Sequence, residues 1–526
     1  MKNTQKNKIC ILAAGRGSRC KVTEGLHKAL LPINNRPMIS NIFDCIPDNF
    51  DIVIAVGYKS DQIISYVKSV YPKKRVTFVH INNYDGEGSG PGLSLLKCKD
   101  YLQCPFSFMP VDTYTPGFYF EEISENWVGA VDPPKDVGAS YCTISGDSKV
   151  KRIGYGAGDF VFNGIAGIFD YEDFWKNLEN KNLIKKEHQV INGLSDLKKL
   201  KIKYFNDFYD TGNTKSYLQI RSALSKEIVL PKDSECIYID NGKVIKYFSD
   251  ENKMFFRVKR AEILKDFVPN VEKINENMYL YDYVEADLLS NIKSEETLDS
   301  FLEFLNNKIH KNRYQKNEEF AKNCNSMYKE KTESRAGEFF GSEIDKIKKI
   351  NGIEVIDIEK IINSIDWNSV YKKAISTDIH GDLQPENILY NRLENKFILI
   401  DWRESFGDSI SEGDMYYDLS KLYHALLING TYVLDGNYGI EICDKEAFLT
   451  YSIKSNLLLL LEKLNAFCVK NKYDWNNVVL LGILHYINIA PFYKNYNNGK
   501  YSDFIFLLGK YLLTKHLNNI GNKNGL

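Results

Sequence analysis

The chain has 526 residues, more than one hydrophobic core usually organises, so two to four domains are expected. Its 68 basic and 69 acidic residues give a net charge of −1, which offers no electrostatic basis for a nucleic-acid or membrane-surface partner. Ten cysteines are scattered without a C-x-x-C pair or a metal-like cluster, which favours reduced thiols and a cytoplasmic protein.

Strand-like and helix-like patterns alternate through the first part of the chain. The β-rich runs cover residues 8–14, 51–57, 75–81 and 106–112, and helical patterns follow the second and third of them. This alternation predicts an α/β domain with a Rossmann-like parallel sheet covered by helices. Ligands of such sheets bind outside the carboxyl ends of the strands, where Gly15 and Asp112 fall.

The pattern changes after a predicted closing helix at 214–226. Residues 236–248 read as a β-hairpin around an Asn-Gly turn, and most of the chain beyond residue 286 reads as helical. The leucine-rich runs at 456–464 and 478–484 are too short to span a bilayer, which favours core helices. We therefore predict a first domain over 1–226 and a bilobal α+β domain over 227–526, divided into lobes at about 227–285 and 286–526.

The stretch "LAAGRGSR" (12–19) has the composition of a phosphate-binding loop. Gly15 and Gly17 allow a tight turn that presents backbone N–H groups to an anion, and Arg16 and Arg19 add positive charge. No third glycine follows at the spacing of a dinucleotide fingerprint. The loop therefore predicts binding of a polyphosphate rather than of a dinucleotide.

Residues 12–19, Lys28, Leu31 and Pro32 together resemble the opening of the sugar-phosphate and phosphocholine nucleotidyltransferase family. That family usually has a proline before the lysine, where this chain has His27. The resemblance covers roughly residues 8–225. It implies attack by a phosphomonoester oxygen on the α-phosphate of a nucleoside triphosphate, with release of pyrophosphate.

The resemblance also implies site residues in this half of the chain. Arg19 and Lys28 are expected to be catalytic, and Asp112 and Asp210 to be metal ligands, because Mg²⁺ prefers oxygen ligands and bridges phosphate oxygens. Taken singly, Asp112 also fits a turn residue and Asp210 a helix cap. The expected nucleotide contacts are Leu12, Ala13, Ala14, Gly15, Arg16, Gly17, Gly90 and Ser94.

A second motif lies at "HGDLQPENILY" (380–390). Asp382 precedes Asn387 by five positions, and a predicted strand then ends at Asp401. A kinase catalytic loop needs these parts in this order: an aspartate that orients the substrate hydroxyl, then an asparagine and an aspartate on magnesium. We therefore predict a catalytic Asp382 and metal ligands at Asn387 and Asp401.

This stretch resembles aminoglycoside phosphotransferases and choline kinases, which share H-G-D-x-x-x-x-N followed by I-D-x. Gly381 and the pair Trp402-Arg403 favour this small-molecule branch over protein kinases, which carry H-R-D and D-F-G. The resemblance implies scaffold roles for His380 and Asp418. It covers roughly 227–526 and is strongest at 376–422.

The upstream parts of a kinase are also expected. Lys246 lies on a predicted strand, where it would contact the nucleotide phosphates, and Glu262 follows in the next predicted helix, where it could pair with that lysine. Such a pair also arises by chance in many proteins. A glycine-rich loop is missing, since the equivalent region 232–243 has one glycine.

The two motifs together predict a bifunctional enzyme. A kinase step with ATP would make a phosphomonoester, and a nucleotidyltransferase step would couple it to CTP with Mg²⁺, giving a CDP-activated sugar, polyol or amino alcohol for surface polysaccharides. The expected partners are nucleoside triphosphates and a small hydroxyl-bearing or phosphorylated substrate, with no nucleic acid and no membrane. Alternatives are a nucleotidyltransferase with a non-catalytic binding module, a kinase acting on the nucleotide-linked product, and a kinase for an antibiotic or protein. The acceptor, the base of the triphosphate and the oligomeric state stay open.

Overall fold

The computed structural model describes residues 7–20, 22–133, 141–179, 183–224, 234–428 and 430–524. These residues form two compact units. The first comprises the described residues up to 224 together with 234–250 and 273–280, and the second comprises 251–272 and 281–524. The predicted boundary between residues 226 and 227 lies outside the described residues.

The first unit contains short helices and many strands. Its helices are Met38–Asp44, Ser60–Val70, Pro91–Lys97, Tyr171–Glu179, Ile191–Leu194 and Thr214–Leu224. Its strands are Lys8–Ala13, Pro32–Ile33, Arg36–Pro37, Asp51–Val56, Val76–His80, Phe106–Pro110, Thr113–Tyr114, Trp127–Val131, Cys142–Ser145, Arg152–Tyr155, Phe160–Ile168, Lys201–Tyr204, Tyr209–Asp210, Glu235–Asp240 and Lys243–Phe248. The four strands predicted at the start of the chain are confirmed to within two residues at each end.

The central sheet of this unit is mixed, which corrects the expectation of a parallel sheet. Lys8–Ala13 pairs in parallel with Asp51–Val56 on one side and with Phe106–Pro110 on the other. Phe160–Ile168, however, runs antiparallel to Phe106–Pro110. The apolar runs alone could not reveal this reversal, because a strand buried on both faces has the same composition in either direction.

Both faces of the first strand are buried. Ile9, Ile11 and Ala13 lie in one hydrophobic core, and Cys10 and Leu12 lie in the core on the opposite face. Because side chains alternate across a strand, this accounts for an uninterrupted apolar run. The strand ends beside its neighbour, where the Val111 N–H donates to the Leu12 carbonyl at 3.2 Å.

The hairpin predicted at 236–248 is present as Glu235–Asp240 and Lys243–Phe248. Asn241 and Gly242 both have positive φ, which fits the right-handed twist of a two-residue hairpin turn. Tyr238 and Ile245 of this hairpin belong to the core of the first unit. A segment expected to start the second domain therefore packs with the first unit.

Buried polar contacts anchor this hairpin. The carboxylate of Asp240 is 4% exposed and accepts hydrogen bonds from the hydroxyls of Tyr66 at 2.8 Å and Tyr71 at 2.6 Å. The Arg36 guanidinium completes the cluster at 2.8 Å. These donors hold the pKa of Asp240 below its usual value, although burial opposes the shift.

The second unit is mainly helical. Its helices are Glu251–Ile263, Glu295–Phe304, Glu318–Asn325, Lys331–Gly337, Ile358–Asn363, Trp367–Lys373, Met415–Leu427, Gly430–Leu434, Ser455–Lys470, Trp475–Ile489 and Lys500–Asn524. Its strands are Asp287–Leu288, Lys349–Ile350, Ile353–Glu354, Ser376–Thr377, Ile388–Asn391, Lys396–Leu399, Gly413–Asp414, Tyr438–Cys443 and Glu446–Tyr451. Two further strands, Glu272–Lys273 and Met278–Asp282, belong to the sheet of the hairpin, and residues 273–280 are part of the first unit.

The two leucine-rich runs form core helices, as predicted. Ser455–Lys470 buries one face, and nearly every residue of Trp475–Ile489 after its first turn is buried. Across the part of the chain that the structure describes, no helix is both long and apolar enough to cross a membrane. All ten cysteines are free thiols.

Replacing Asp240 with alanine tests whether the hairpin is part of the first unit. The change removes the acceptor that two phenols share and one of the two carboxylates paired with Arg36, which keeps Asp44, so the free energy of unfolding should fall by about 2 kcal/mol. Asp48→Ala is the control, because it removes a carboxylate that is 96% exposed and pairs with Lys74 at the surface. Urea titration of both variants measures the difference, and equal stabilities would show that the cluster is not an anchor.

Candidate active sites

The glycine loop of the first unit packs against the side chain of Lys28. Gly17 has a φ of 64°, and a Cβ at this position would lie 3.0 Å from the Cδ of Lys28. A Cβ on Gly15, by contrast, would meet no atom within 4 Å, so its backbone faces open space. Glycine is therefore favoured for two different reasons. At Gly17 a larger residue would collide with the side chain of Lys28, and at Gly15 the absence of a side chain leaves the backbone accessible to a ligand.

Lys28 and Asp112 form an ion pair, with the ammonium nitrogen 2.8 Å from Oδ2 of the carboxylate. Burial raises the pKa of Asp112, but the Lys28 ammonium outweighs burial and holds the pKa below its usual value. The carboxylate is therefore ionised at neutral pH. The structure thus brings together a predicted catalytic residue and a predicted metal ligand that are 84 positions apart.

Asp210 lies next to this pair, across a small space left by Gly212. A Cβ on Gly212 would lie 2.9 Å from Oδ1 of Asp210, 3.2 Å from Oδ2 of Asp112 and 3.8 Å from Nη2 of Arg19. Two carboxylates and a guanidinium thus surround one position that has no side chain. Burial raises the pKa of Asp210, and the neighbouring Asp112 charge acts in the same direction.

This space fits a magnesium ion. Mg²⁺ is commonly held by one or two carboxylates together with water and substrate phosphates rather than by an all-protein cage. The described residues contain no group of three or more histidine, cysteine, aspartate or glutamate side chains arranged to hold a metal. Asp112 and Asp210 could therefore hold the ion, with the remaining ligands supplied by the nucleotide and by water.

His27, which replaces the usual proline, is a buried structural residue. Its Nδ1 accepts the N–H of Ala29 at 3.0 Å, so Nε2 carries the proton and donates to the Gly15 carbonyl at 3.3 Å. The ring therefore connects the glycine loop to the short helix that begins at Lys28. Burial, with a smaller contribution from the Lys28 charge, lowers the pKa of His27 to about 3.

The other predicted nucleotide contacts lie at the end of the first strand, in the loop after it and at the start of the helix Pro91–Lys97. Leu12, Ala13 and Ala14 are buried where the first strand ends. Arg16 is exposed, with Nε 3.3 Å from Asp85, and its guanidinium lies 5.3 Å from the centre of the Tyr58 ring. Gly90 precedes the helix Pro91–Lys97, and its carbonyl accepts the Ser94 N–H at 3.1 Å.

The second motif forms a tight loop in the second unit. The side-chain amide of Asn387 donates to the Asp382 carbonyl at 2.8 Å, and the Ile400 N–H donates to the Asn387 carbonyl at 2.9 Å. Asp401 follows Ile400 and has a φ of 59°. The structure therefore brings the three predicted residues Asp382, Asn387 and Asp401 into one loop cluster.

Asp418 holds this loop in place. Its side chain is fully buried and accepts the backbone N–H groups of His380 at 2.8 Å and Gly381 at 2.7 Å. His310 Nε2 contacts the same carboxylate at 3.1 Å. Gly381 has a φ of 85°, and a Cβ there would lie 2.7 Å from the Cβ of Arg403, so the chain needs glycine where protein kinases have arginine.

Sequence reasoning missed Lys421, which lies three residues after Asp418 on the helix Met415–Leu427. Its ammonium nitrogen is 3.0 Å from Oδ1 of Asp382, and Gln384 donates to the same oxygen at 3.0 Å. Burial raises the pKa of Asp382, but the Lys421 charge together with the hydrogen bonds from Gln384 and Lys421 outweighs burial, and the pKa lies well below the usual value. The i, i+3 spacing from Asp418 was the signal in the sequence, since it places both side chains on one helix face.

Arg257 is a second residue that sequence reasoning missed. It lies on the helix Glu251–Ile263, and its Nη1 is 2.8 Å from Oδ1 of Asp401, while its Nε is 3.3 Å from Oε2 of Glu404. Its side chain is 7% exposed, so these charges meet away from bulk water. The carboxylate predicted to bind magnesium is therefore held by a buried arginine.

Lys246 and Glu262 belong to different units. Lys246 is buried within the strand Lys243–Phe248 of the first unit. Glu262 lies in the second unit, 62% exposed, and its carboxylate is 3.2 Å from the ammonium of Lys259 on the same helix. The expected pairing of Lys246 with Glu262 stays a prediction.

The MobA-like NTP transferase domain family matches residues 9–118. The first unit therefore carries an NTP transferase domain, which confirms the resemblance to nucleotidyltransferases over this segment. The matched segment includes the glycine loop, Lys28 and Asp112. It ends before the second unit, so the kinase-like resemblance stays a prediction. Among curated proteins, none matches the chain.

Several solved structures resemble a part of the chain. A UDP-glucose pyrophosphorylase in complex with UDP-glucose is 16% identical, at a TM-score of 0.36, over 41% of this chain and 97% of its own. The inositol-1-phosphate CTP transferase from T. maritima is 14% identical, at a TM-score of 0.33, over 44% of this chain and 100% of its own. HddC from Yersinia pseudotuberculosis, complexed with GMP-PN, is 20% identical, at a TM-score of 0.31, over 41% of this chain and 98% of its own. Because these TM-scores are low, the function proposed below is based on the domain match and the site geometry.

The pKa of His27 predicts how stability depends on pH. The folded state binds fewer protons than the unfolded state, so this residue's contribution is present above pH 6.5 and is lost as the pH falls towards 3. Between these pH values, the contribution of His27 to the free energy of unfolding should change by about 1.4 kcal/mol per pH unit. Urea unfolding from pH 7 to pH 4 gives the free energy of unfolding of wild type and of His27→Asn at each pH. The contributions of the other histidines cancel in the difference between the two proteins. A difference independent of pH would contradict a neutral buried ring.

Gly212→Ala tests the space between the two carboxylates. The added methyl group would occupy the position that faces Asp112, Asp210 and Arg19, and misplacing ligands by about 1 Å costs roughly 10²-fold in rate. Pyrophosphate release should fall by that order. Gly154→Ala is the matched control, because a Cβ there meets nothing within 4 Å. Equal losses in both variants would mean that the space has no special role.

Proposed function

We propose that the chain is a bifunctional enzyme that phosphorylates a small alcohol with ATP and then transfers a nucleotidyl group to the phosphomonoester. The observation that carries this proposal is the cluster of Lys28, Asp112, Asp210 and Arg19 around Gly212, next to a glycine loop within a matched NTP transferase domain. We take CTP as the second nucleotide, on the basis of the resemblance to the phosphocholine branch.

In the first unit, an oxygen of the phosphomonoester attacks the α-phosphorus of the triphosphate. The bond between the α-phosphorus and its bridging oxygen breaks, and pyrophosphate leaves. Lys28 and Arg19 neutralise the charge that develops on the transferred phosphoryl group. Asp112 and Asp210 would hold a magnesium ion, which would supply Lewis-acid chemistry when bound. Binding of the nucleotide requires the Lys28–Asp112 pair to exchange partners.

In the second unit, Asp382 accepts the proton of the acceptor hydroxyl and orients its oxygen towards the γ-phosphorus. Asn387 and Asp401 would hold a magnesium ion, which would supply positive charge at the nucleotide phosphates. Lys421 keeps Asp382 ionised and fixes its direction, which supports a role in positioning rather than strong basicity. The nucleotide contacts that the resemblance assigns to Lys246 belong to the same proposal.

One observation favours a second candidate function. The 2.8 Å ion pair between Arg257 and Asp401 occupies an oxygen that a metal would need. If that pair persists with ATP, the second unit is a binding module without catalysis, and the chain is a nucleotidyltransferase only. Turnover of ATP with any alcohol distinguishes the two candidates.

Asp112→Asn tests the first reaction. The change removes one negative charge from the proposed metal site, so pyrophosphate release should fall by roughly 10²–10³-fold. ADP formation from the alcohol should be unaffected, because the second unit is unchanged. Asp100→Asn, at an exposed position of the first unit, is the control. A coupled pyrophosphate assay with a ready-made phosphomonoester reads the result, and an unchanged rate would reject Asp112 as a metal ligand.

Asp382→Asn tests the second reaction and separates the two candidates. General-base and orienting groups typically contribute about 10²–10⁴-fold in rate, so ADP formation should fall by that order. The variant should still make the nucleotide-linked product from the ready-made phosphomonoester.

Asp378→Asn is the matched control for this change. Asp378 lies four residues before Asp382, and its carboxylate accepts hydrogen bonds from Asn312 and Tyr314 at 2.8 Å each, near the surface. Full ADP formation by the Asp382 variant would remove this residue from catalysis. Wild-type protein that never consumes ATP with any alcohol in a broad screen would establish the binding module instead.

A further inference from the structure

Two cations converge on one oxygen atom beside the loop that carries Asp382. The ammonium of Lys331 is 3.3 Å from the hydroxyl oxygen of Tyr417, and Nη1 of Arg403 is 3.4 Å from the same atom. Tyr417 is fully buried, so its hydroxyl is a fixed point rather than a mobile surface group. Such an arrangement concentrates positive charge in a place largely shielded from water.

The carboxylates of the site are already paired with other cations. Lys421 holds Asp382 at 3.0 Å, and Arg257 holds Asp401 at 2.8 Å. Arg403 is 3.7 Å from Glu404, which Arg257 also contacts. Arg403 therefore shares a single carboxylate with another arginine.

Lys331 has no carboxylate partner within 4 Å among the described residues, and its contacts there are with Tyr417. Burial lowers the pKa of Lys331 to about 8, and repulsion from Arg403 and Lys421 adds to the shift. A partly buried ammonium whose neighbour is a phenol rather than a carboxylate is costly to keep. A ligand that carries an anion would supply the missing charge.

Arg403 connects this cation pair to the catalytic loop. Its backbone N–H donates to the His380 carbonyl at 3.0 Å, and its side chain packs against Gly381, the residue before Asp382. Tyr417 and Lys421 lie on the same helix, four residues apart, so that helix presents both the phenol and the lysine that holds Asp382. An anion bound at Lys331 and Arg403 would therefore lie next to the hydroxyl-orienting group.

This surrounding is unsuited to a cationic acceptor. A quaternary or primary ammonium is favoured by carboxylates and open aromatic faces. Here the aromatic ring of Tyr417 is fully buried and already has the ammonium of Lys331 5.7 Å from its centre. The cations would repel an amino alcohol, so this acceptor is disfavoured relative to a sugar or polyol.

We propose that the acceptor of the second unit is a small alcohol that also carries a carboxylate or phosphate group, which Lys331 and Arg403 bind. This inference rests on the proposed phosphotransferase function. In the reaction, the acceptor hydroxyl oxygen bonds to the γ-phosphorus, the bond from that phosphorus to the β–γ bridging oxygen breaks, and ADP leaves. The hydroxyl proton passes to Asp382 and then to solvent. The product is a phosphate ester of an acidic alcohol.

Binding is tested first, with inorganic phosphate as the probe and a non-hydrolysable ATP analogue present, so that the nucleotide phosphate site is filled. Calorimetry should show phosphate binding to wild type and a roughly 10–100-fold weaker affinity in Lys331→Met, because a charge-assisted hydrogen bond is lost. Lys331→Arg should retain most of the affinity. Lys329→Met is the control, since it removes an equal charge from a neighbouring, 43% exposed position. Equal binding by wild type and Lys331→Met would overturn the proposal.

Turnover is tested next with matched alcohols: glycerol as the neutral probe, choline as the cation, and glycerate and glycerol 2-phosphate as anions. ADP formation should be highest with an anionic probe, and Lys331→Met should raise its KM by roughly 10-fold or more while leaving the KM of ATP unchanged. A raised KM for ATP alone would assign the cations to the nucleotide and overturn the proposal, as would turnover with only neutral or cationic alcohols. Lys331-dependent phosphate binding without ADP formation from any alcohol would support the anion site and reject the phosphotransferase function.

Discussion

A largely buried carboxylate paired with a lysine is the interaction on which both candidate sites depend. Lys28 holds Asp112 at 2.8 Å in the first unit, and Lys421 holds Asp382 at 3.0 Å in the second. Burial alone would favour the protonated acids, and the lysine charge together with hydrogen bonds to the carboxylate reverses that preference in each case. Each site therefore keeps an ionised carboxylate ready in a poorly hydrated place.

The same pairing determines how substrates can enter. Under the proposed function, the phosphates of a nucleotide would offer the lysine a new partner, which would leave the carboxylate free to hold a metal ion. The number of unlike-charge contacts is maintained during this exchange, which limits the desolvation cost of opening a buried pair. Arg257 and Asp401 can exchange partners in the same way. A buried ion pair is in this sense compatible with a metal site.

The backbone around each site is fixed by groups that take no part in chemistry. His27 connects the glycine loop to the turn that presents Lys28, and Asp418 accepts two N–H groups of the loop that carries Asp382. Because these supports are buried, they limit the movement of the groups that would contact substrate. The proposed acidic alcohol also fits the order of the two reactions, since a phosphate ester made in the second unit is the substrate class that the first unit consumes.

The sequence by itself determined the parts of the molecule that depend on local pattern. Uninterrupted apolar runs marked the strands, the Asn-Gly pair marked the hairpin, and the Gly15–Arg19 and Asp382–Asn387 motifs marked both loops, because these signals need only neighbouring residues. Tertiary structure alone decided the antiparallel strand at 160–168, the packing of the hairpin with the first unit, and the partners of the reactive carboxylates. Arg257 approaches Asp401 through folding of segments distant in the chain, and Gly212 acts through an absent side chain, and neither effect leaves a periodic signal in the sequence. The spacing of Lys421 from Asp418 shows which helix face they share, but only folding brings that face to Asp382.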